Sequence, residues 1–267
     1  MSQLRIFSYL PNPRLWKATI AARLTGIDVE VRGSSPRELQ SWLWDFDARP
    51  LSPGEKAGSQ EARGHFGFKG ALHKTEAFLK THPFGTVPAA FSPDGSVGIF
   101  ESNSIMRAVA RLGESKVSLY GSDPYEAARI DSFLDASLVF ARDAQIYLLA
   151  LGSEALSAEI YSRARDAFGL YLAGVNQALS PDRAFIVDDG LTLADICFVA
   201  EIGLFYNEKP RAGDLARRGL KPILNPSVDV EYPRAMAHFA KLSKHPAFAP
   251  DVVPYLERIE RVTFTHD

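Results

Sequence analysis

The chain has 267 residues, 46% of them hydrophobic, with a formal net charge of −2 and a pI near 6.3. That apolar content fills the core of one large domain or two ordinary ones and excludes disorder over most of the length. No block of Lys or Arg runs longer than two residues, which excludes a nucleic-acid groove or a basic membrane surface and leaves small molecules or proteins as the expected partners.

The single cysteine, Cys197, rules out an internal disulfide framework and a cysteine-based zinc site, and the six histidines show no ligand spacing, so no metal is expected. The N-terminus, MSQLRIFSYL, lacks a basic region followed by an apolar stretch and a cleavage pattern. No apolar run approaches the roughly 18 residues of a membrane span. The expectation is a soluble, cytoplasmic protein in a reducing compartment.

In chain order, residues 4–9 are β-prone, Pro11 and Pro13 break the chain, and Trp16, Ile20 and Leu24 follow at helical spacing up to Gly26. Residues Ile27–Val31 alternate as a second strand, and a strand–helix–strand unit of this length predicts a parallel pair with a right-handed crossover. From Ser34 to Thr81 the pattern is irregular, Gly- and Pro-rich at its centre and flanked by tryptophans and phenylalanines; so long a loop inside a domain is functional or ordered by a partner. A helix is expected around Lys74–Lys80. Two short apolar runs, Val87–Phe91 and Val97–Phe100, flank the turn Ser92-Pro93-Asp94-Gly95 and predict a hairpin. A helix with Ile105, Val109 and Leu112 facing inward then runs to Gly113.

Beyond Asp123 helical periodicity dominates: Tyr125–Ala150, about Ala155–Leu179 with Ile160, Ala164, Phe168, Tyr171 and Val175 on one face, and Thr192 to about Tyr206. Thr192 and Asp195 stand at the positions of a helix-capping box. Residues 207–234 are expected as Pro/Gly-punctuated loop, followed by one or two helices between Arg234 and Arg261. The plan is α/β followed by all-α, with domains at 1–113 and 123–267.

The Val87–Pro88 bond stands at the head of a strand, where proline is tolerated because it need not donate to the ladder. A cis bond there turns the backbone N–H and C=O of Val87 into a cleft, where they pair with an extended peptide as one more antiparallel strand. At Glu101-Ser102 a strand meets a helix start. Free N–H groups, the positive end of the helix dipole and the Ser102 hydroxyl suit a carboxylate, and Glu101 suits an ammonium group. Peptide backbone at one point and an α-amino-acid head at the other describe glutathione. The plain alternatives are a hairpin proline and an N-capping serine.

The motifs PFGTVP and ESNSI, in a β-α-β-α-β-β-α half followed by a helical half, resemble the glutathione S-transferase superfamily over nearly the whole chain. The resemblance implies an N-terminal thioredoxin-like domain and a C-terminal all-helical domain, with glutathione as co-substrate. It implies that Val87, before cis Pro88, pairs with the cysteinyl part and that Glu101 and Ser102 hold the γ-glutamyl head. It further implies a homodimer, or a dimer with a paralogue. Members of the superfamily activate the thiol with Tyr, Ser or Cys near the end of the first strand. This chain has Leu10 or Pro11 where a serine is expected. PNPR is similar to a turn of the nu-class and yeast prion-type transferases whose asparagine contacts the sulfur; that nominates Asn12, with Arg14 as an electrostatic helper or a solvated residue, and leaves turn formation as the alternative for Asn12.

Two lineages share further detail. YLPNPRLWKATIAARLTGIDVEV is similar to the start of the transferase-like domain of the elongation factor one gamma subunit, a lineage of interaction modules; no appended domain, such as that subunit carries, is expected after the helical half. The segment WLWDFDARPL with its tryptophans resembles bacterial glutathione-dependent β-aryl etherases of lignin breakdown. An enzyme needs an apolar pocket beside the thiolate for an aromatic electrophile. Trp42, Trp44 and Phe46 are candidate walls, and the resemblance places another wall on the first long helix of the second half, around Phe133, Ser137, Phe140, Ala141 and Tyr147, each with ordinary core packing as its alternative. His73 or Lys69 is a candidate for the glycine carboxylate, with surface solvation equally open.

Overall fold

In the computed structural model, β1 (Leu4–Tyr9) and the helix α1 (Pro13–Thr25) form where the sequence places them, joined by the Pro-rich turn. The structure describes residues 2–264 apart from 53, 56–59, 64–67, 69, 114–117, 182 and 188. The chain divides into two units, Met1–Val117 and Ser118–Asp267.

In the first unit, Gly26 ends α1 in the left-handed conformation (φ 67°), and Ile27 donates its N–H back to Ala22 O, so Ile27 belongs to the helix cap. The next strand, β2 (Val29–Ser34), therefore starts two residues later than the expected Ile27. It pairs in parallel with β1 in the register Leu4 to Val29 through Tyr9 to Ser34. The hairpin β7 (Ala89–Phe91) and β8 (Gly98–Phe100) completes a sheet in the order β2-β1-β7-β8, with β7 antiparallel to both neighbours. The Val87–Pro88 bond is cis.

The stretch expected to be irregular is instead a second four-stranded sheet. After a 3₁₀ turn (Glu38–Ser41) come β3 (Trp42–Trp44), β4 (Arg49–Pro50), β5 (Gln60–Arg63) and β6 (Ala71–Lys74), in the order β4-β3-β6-β5. Lys74, expected in a helix, ends β6. The helix α2 (Glu76–Thr81) begins only after Thr75, whose hydroxyl accepts the Phe78 N–H as its N-cap. The two sheets share one core: Phe7, Ala89 and Phe91 of the first pack with Leu39, Trp44, Ala48, Leu72 and Phe78.

The helix α3 (Ser102–Leu112) buries Ile105, Met106, Val109 and Ala110. Leu112, expected to face inward, is 45% exposed. The buried face is centred on Met106, Val109 and Gly113, where α3 lies so close to α1 that a Cβ on Gly113 would sit 2.3 Å from Thr25 Cβ; Leu112 falls at its edge.

The second unit is helical: α4 (Pro124–Ala150), α5 (Ala158–Ala178), α6 (Leu193–Phe205), α7 (Ala212–Arg217), α8 (Ser227–Glu231), α9 (Pro233–Ser243) and α10 (Ala249–Phe264). α6 is buried on all sides from Leu193 to Gly203, as its uniformly apolar sequence requires, and starts in the capping box of Thr192 and Asp195. The segment expected as loop holds a 3₁₀ helix (Tyr206–Arg211), α7 and α8. Buried Glu208 organises it, accepting Tyr147 Oη–H at 2.6 Å and the N–H groups of Ile223 (2.8 Å) and Leu224 (2.7 Å). Burial raises the Glu208 carboxyl above its ordinary value despite these bonds. Among the described residues no helix is long and apolar enough to cross a membrane.

Candidate functional site

Strand register brings the sequence-nominated residues of the first unit to one end of the sheet. Ala89 lies opposite Phe100, so Val87–Pro88 just before β7 and Glu101-Ser102 just after β8 stand side by side. Phe7 also lies opposite Ala89, so the carboxyl end of β1, with Ser8 and Tyr9, and the turn that follows it come to the same end.

At the β8–α3 junction Glu101 has φ 65° and ψ 122°; it is a non-glycine residue at positive φ. Such a conformation costs of the order of 1–3 kcal/mol and persists where the surroundings impose it. Here it ends the strand and starts the helix within one residue, leaving the Glu101 side chain exposed while Ser102 and Asn103 are buried at the head of α3. Beneath them lies Lys17 of α1, a fully buried lysine whose ammonium donates to Asn103 Oδ1 at 2.7 Å and to Ser102 Oγ at 3.2 Å. Sequence reasoning gives Lys17 no role; its signal is a lysine flanked by Trp16, Ala18, Ile20 and Ala21, all buried.

Asn12 is 1% exposed. It is the N-cap of α1: its Oδ1 accepts the Arg14 N–H at 3.0 Å, and its amide donates to Ser8 Oγ at 3.0 Å. The side chain nominated as a thiolate donor is thus engaged in the turn. Arg14 is half-buried at the start of the helix.

Val87 and Pro88 are half-buried after the His82–Gly85 turn. His82 is fully buried, stacked on Phe100 (centroids 5.0 Å, planes 14° apart), and its Nδ1 has no hydrogen-bond partner. Desolvation pushes its pKa down to about 4. Lys74, also buried, lies with its Nζ 5.2 Å from the Trp44 ring centroid, and desolvation lowers its pKa. His73, nominated for a carboxylate, is 5% exposed in β6; Lys69 lies outside the described residues.

The aromatic residues nominated as pocket walls divide. Trp42 is half-buried and stacks on Phe7 at 6.2 Å. Trp44 is core: 1% exposed, edge-on to Phe7 and Phe78, its Nε1–H donated to Leu39 O at 3.0 Å, with no surface to offer a ligand. Phe46 packs on Phe91 and lies under the Arg5 guanidinium at 4.2 Å. In the second unit, Phe140 is 2% exposed and stacked on Tyr171 at 4.9 Å, with Phe168 and Phe205 around it, so it too packs as core. Tyr147 and Ser137 are fully buried.

A parallel β-α-β unit followed by an antiparallel hairpin and helix, then an all-helical unit, is the fold of the glutathione S-transferases, and solved structures of that class match it end to end. A glutathione S-transferase-like protein from Lodderomyces elongisporus superposes with a TM-score of 0.67 at 16% identity, over 94% of this chain and 95% of that one. A glutathione transferase from Phanerochaete chrysosporium, in complex with oxidized glutathione, gives 0.64 at 18% identity, over 98% of each chain. By sequence, the chain is 27% identical over 247 residues to a probable elongation factor 1-gamma from Arabidopsis thaliana, 92% of this chain and 48% of that protein. The chain spans about half the length of the curated relatives it matches. No family model matches the sequence.

Proposed function

We propose that the chain is a cytoplasmic glutathione transferase, binding glutathione in a domain spanning 1–113 and followed by a helical domain at 123–267. The observation that carries the reading is the convergence of Val87–Pro88 and Glu101-Ser102 at one end of the sheet, with Glu101 at positive φ. In this reading Val87 pairs its backbone with the cysteinyl residue, Ser102 and the α3 N-terminus hold the γ-glutamyl carboxylate, and Glu101 faces the ammonium. The buried Lys17 ammonium adds positive charge behind Ser102. Arg14 and the Asn12 amide are the proposed stabilisers of the thiolate; Arg14 has the more accessible surface.

The proposed chemistry is attack by the thiolate on a carbon of an aromatic electrophile. For a β-aryl ether, the substrate class suggested by WLWDFDARPL, the C–S bond forms as the C–O bond breaks and its electron pair leaves on the phenolate, which takes a proton from water. A phenol has a pKa near 10, so its departure needs no dedicated acid. Trp42 is the proposed contact for the aromatic ring. The proposed assembly is a homodimer or a dimer with a paralogue, which light scattering tests.

A second reading, a non-catalytic interaction module, is favoured by the elongation factor 1-gamma relatives and by the engagement of Asn12 in its turn. One assay separates the two: purified protein with glutathione, generic electrophiles and β-aryl ether model dimers, after retention on immobilised glutathione is measured. Thioether formation supports the enzyme, with phenol release from the model dimers specifying the etherase. Retention without turnover supports the module, and absence of both rejects the glutathione site.

A further inference from the structure

The second unit contains an open surface cleft of about 280 Å³ lined by Leu179, Arg183, Ala184, Arg234, Ala237, His238 and Lys241, of which only Leu179 and His238 are buried. We propose that it is a binding site for a small phosphomonoester, formed by Arg183, Arg234, His238 and Lys241. Arg234, Ala237, His238 and Lys241 fall at i, i+3, i+4 and i+7, a single face of α9, and Leu179, Arg183 and Ala184 come from the end of α5 and the chain after it.

Three of the four groups are held in place by the protein. Arg183 donates Nη2–H to Val187 O at 2.8 Å, Lys241 Nζ lies 5.3 Å from the Phe185 ring centroid, and His238 is 5% exposed with Nε2 2.8 Å from Asp195 Oδ1. Asp195 is fixed in turn by the N–H groups of Ile186 and Thr192 and the Thr192 hydroxyl. This is a preorganised arrangement in which a carboxylate fixes an imidazole in the cleft wall.

Among the described residues neither Arg234 nor Lys241 has an ion-pair partner, a condition shared with Arg142 and Arg218 of the same unit; what sets Arg234 and Lys241 apart is that they lie on one helical face, in the cleft with Arg183. Two guanidinium forks and an ammonium, beside the His238 ring, offer more donors than the two oxygens of a carboxylate accept. The three terminal oxygens and near-double charge of a phosphomonoester suit them. Leu179, Ala184 and Ala237 then flank the organic part.

The test is calorimetric titration of the full chain, at low ionic strength, with phenyl phosphate, inorganic phosphate and benzoate. The variants are Arg234→Gln/Lys241→Gln and, as a control with the same charge change, Arg165→Gln/Arg217→Gln. The expected result is saturable binding of phenyl phosphate by wild type and control, weaker binding of phosphate and benzoate, and a loss on the order of a hundredfold in the Arg234/Lys241 variant, about tenfold for each charge-assisted bond. No binding of phenyl phosphate overturns the proposal. So does equal weakening in both variants, which marks diffuse charge attraction, or benzoate binding as tightly as phenyl phosphate. Thermal unfolding of each variant near the wild-type temperature shows that the losses come from the cleft.

Discussion

Replacing Ser102 by alanine acts on binding and on folding, and the two are read separately. Its hydroxyl is proposed to donate to the γ-glutamyl carboxylate, and a hydrogen bond to a charged partner contributes about 1.5–3 kcal/mol. At about 1.4 kcal/mol per decade, the glutathione Kd in Ser102→Ala rises about 10–100-fold. Within the fold the variant gives up the 3.2 Å bond from Lys17, while the ammonium keeps its shorter 2.7 Å bond to Asn103. The unfolding free energy therefore falls by about 1.5–3 kcal/mol, the range for a bond to a charged group, while the retained bond to Asn103 keeps the ammonium partnered. Calorimetric titration with glutathione gives the first quantity and urea unfolding the second. A glutathione Kd within about twofold of wild type, with the fold intact, refutes the assignment of Ser102 and leaves it as a helix-start residue.

Asn12→Ala removes the α1 cap and the bond to Ser8, costing about 1–2 kcal/mol in urea unfolding. As a thiolate donor Asn12 also accounts for about 10²–10³ in kcat with an unchanged glutathione Kd; a normal kcat and pH–rate profile assigns it to capping alone and moves the donor to Arg14. His82 must be neutral in the folded chain, so its contribution is present above pH 6.5 and is lost as pH falls toward its folded pKa of about 4, on the order of 3 kcal/mol in all. His82→Phe, which retains a ring against Phe100, is expected to flatten the stability profile between those pH values. Glu208 has the opposite sign: its raised carboxyl pKa stabilises the fold below the ordinary value of 4.5, and that contribution is lost as pH rises through the folded pKa. The unfolding free energy of wild type relative to Glu208→Gln is therefore expected to fall as pH increases; a constant difference places no titration at Glu208.

The main sheet was legible because each of its parts carries a local signal: the apolar strand at residues 4–9, the proline-flanked turn, the Pro-Asp-Gly hairpin and the capped helices. The second sheet was not. Its strands are two to four residues long, too short for alternation to show, and β3 pairs in parallel with β6 across a gap in sequence. The site divides along similar lines. Glu101 and Ser102 lie where a strand–helix junction is readable, whereas the burial of Lys17 and the engagement of Asn12 depend on how α1 meets its neighbours. Trp44 and Phe140 illustrate a different ambiguity: an aromatic residue in a sequence looks the same whether it walls a pocket or fills a core.

The sharing of one core between the two sheets also sets an order on folding during synthesis. β1 finds β2 within the first 34 residues, but Phe7 and Trp44 await Ala89 and Phe91. A nascent chain halted before residue 89 holds Trp42, Trp44, Leu72 and Phe78 without the strand that covers them, which is the kind of exposed apolar surface that chaperones retain.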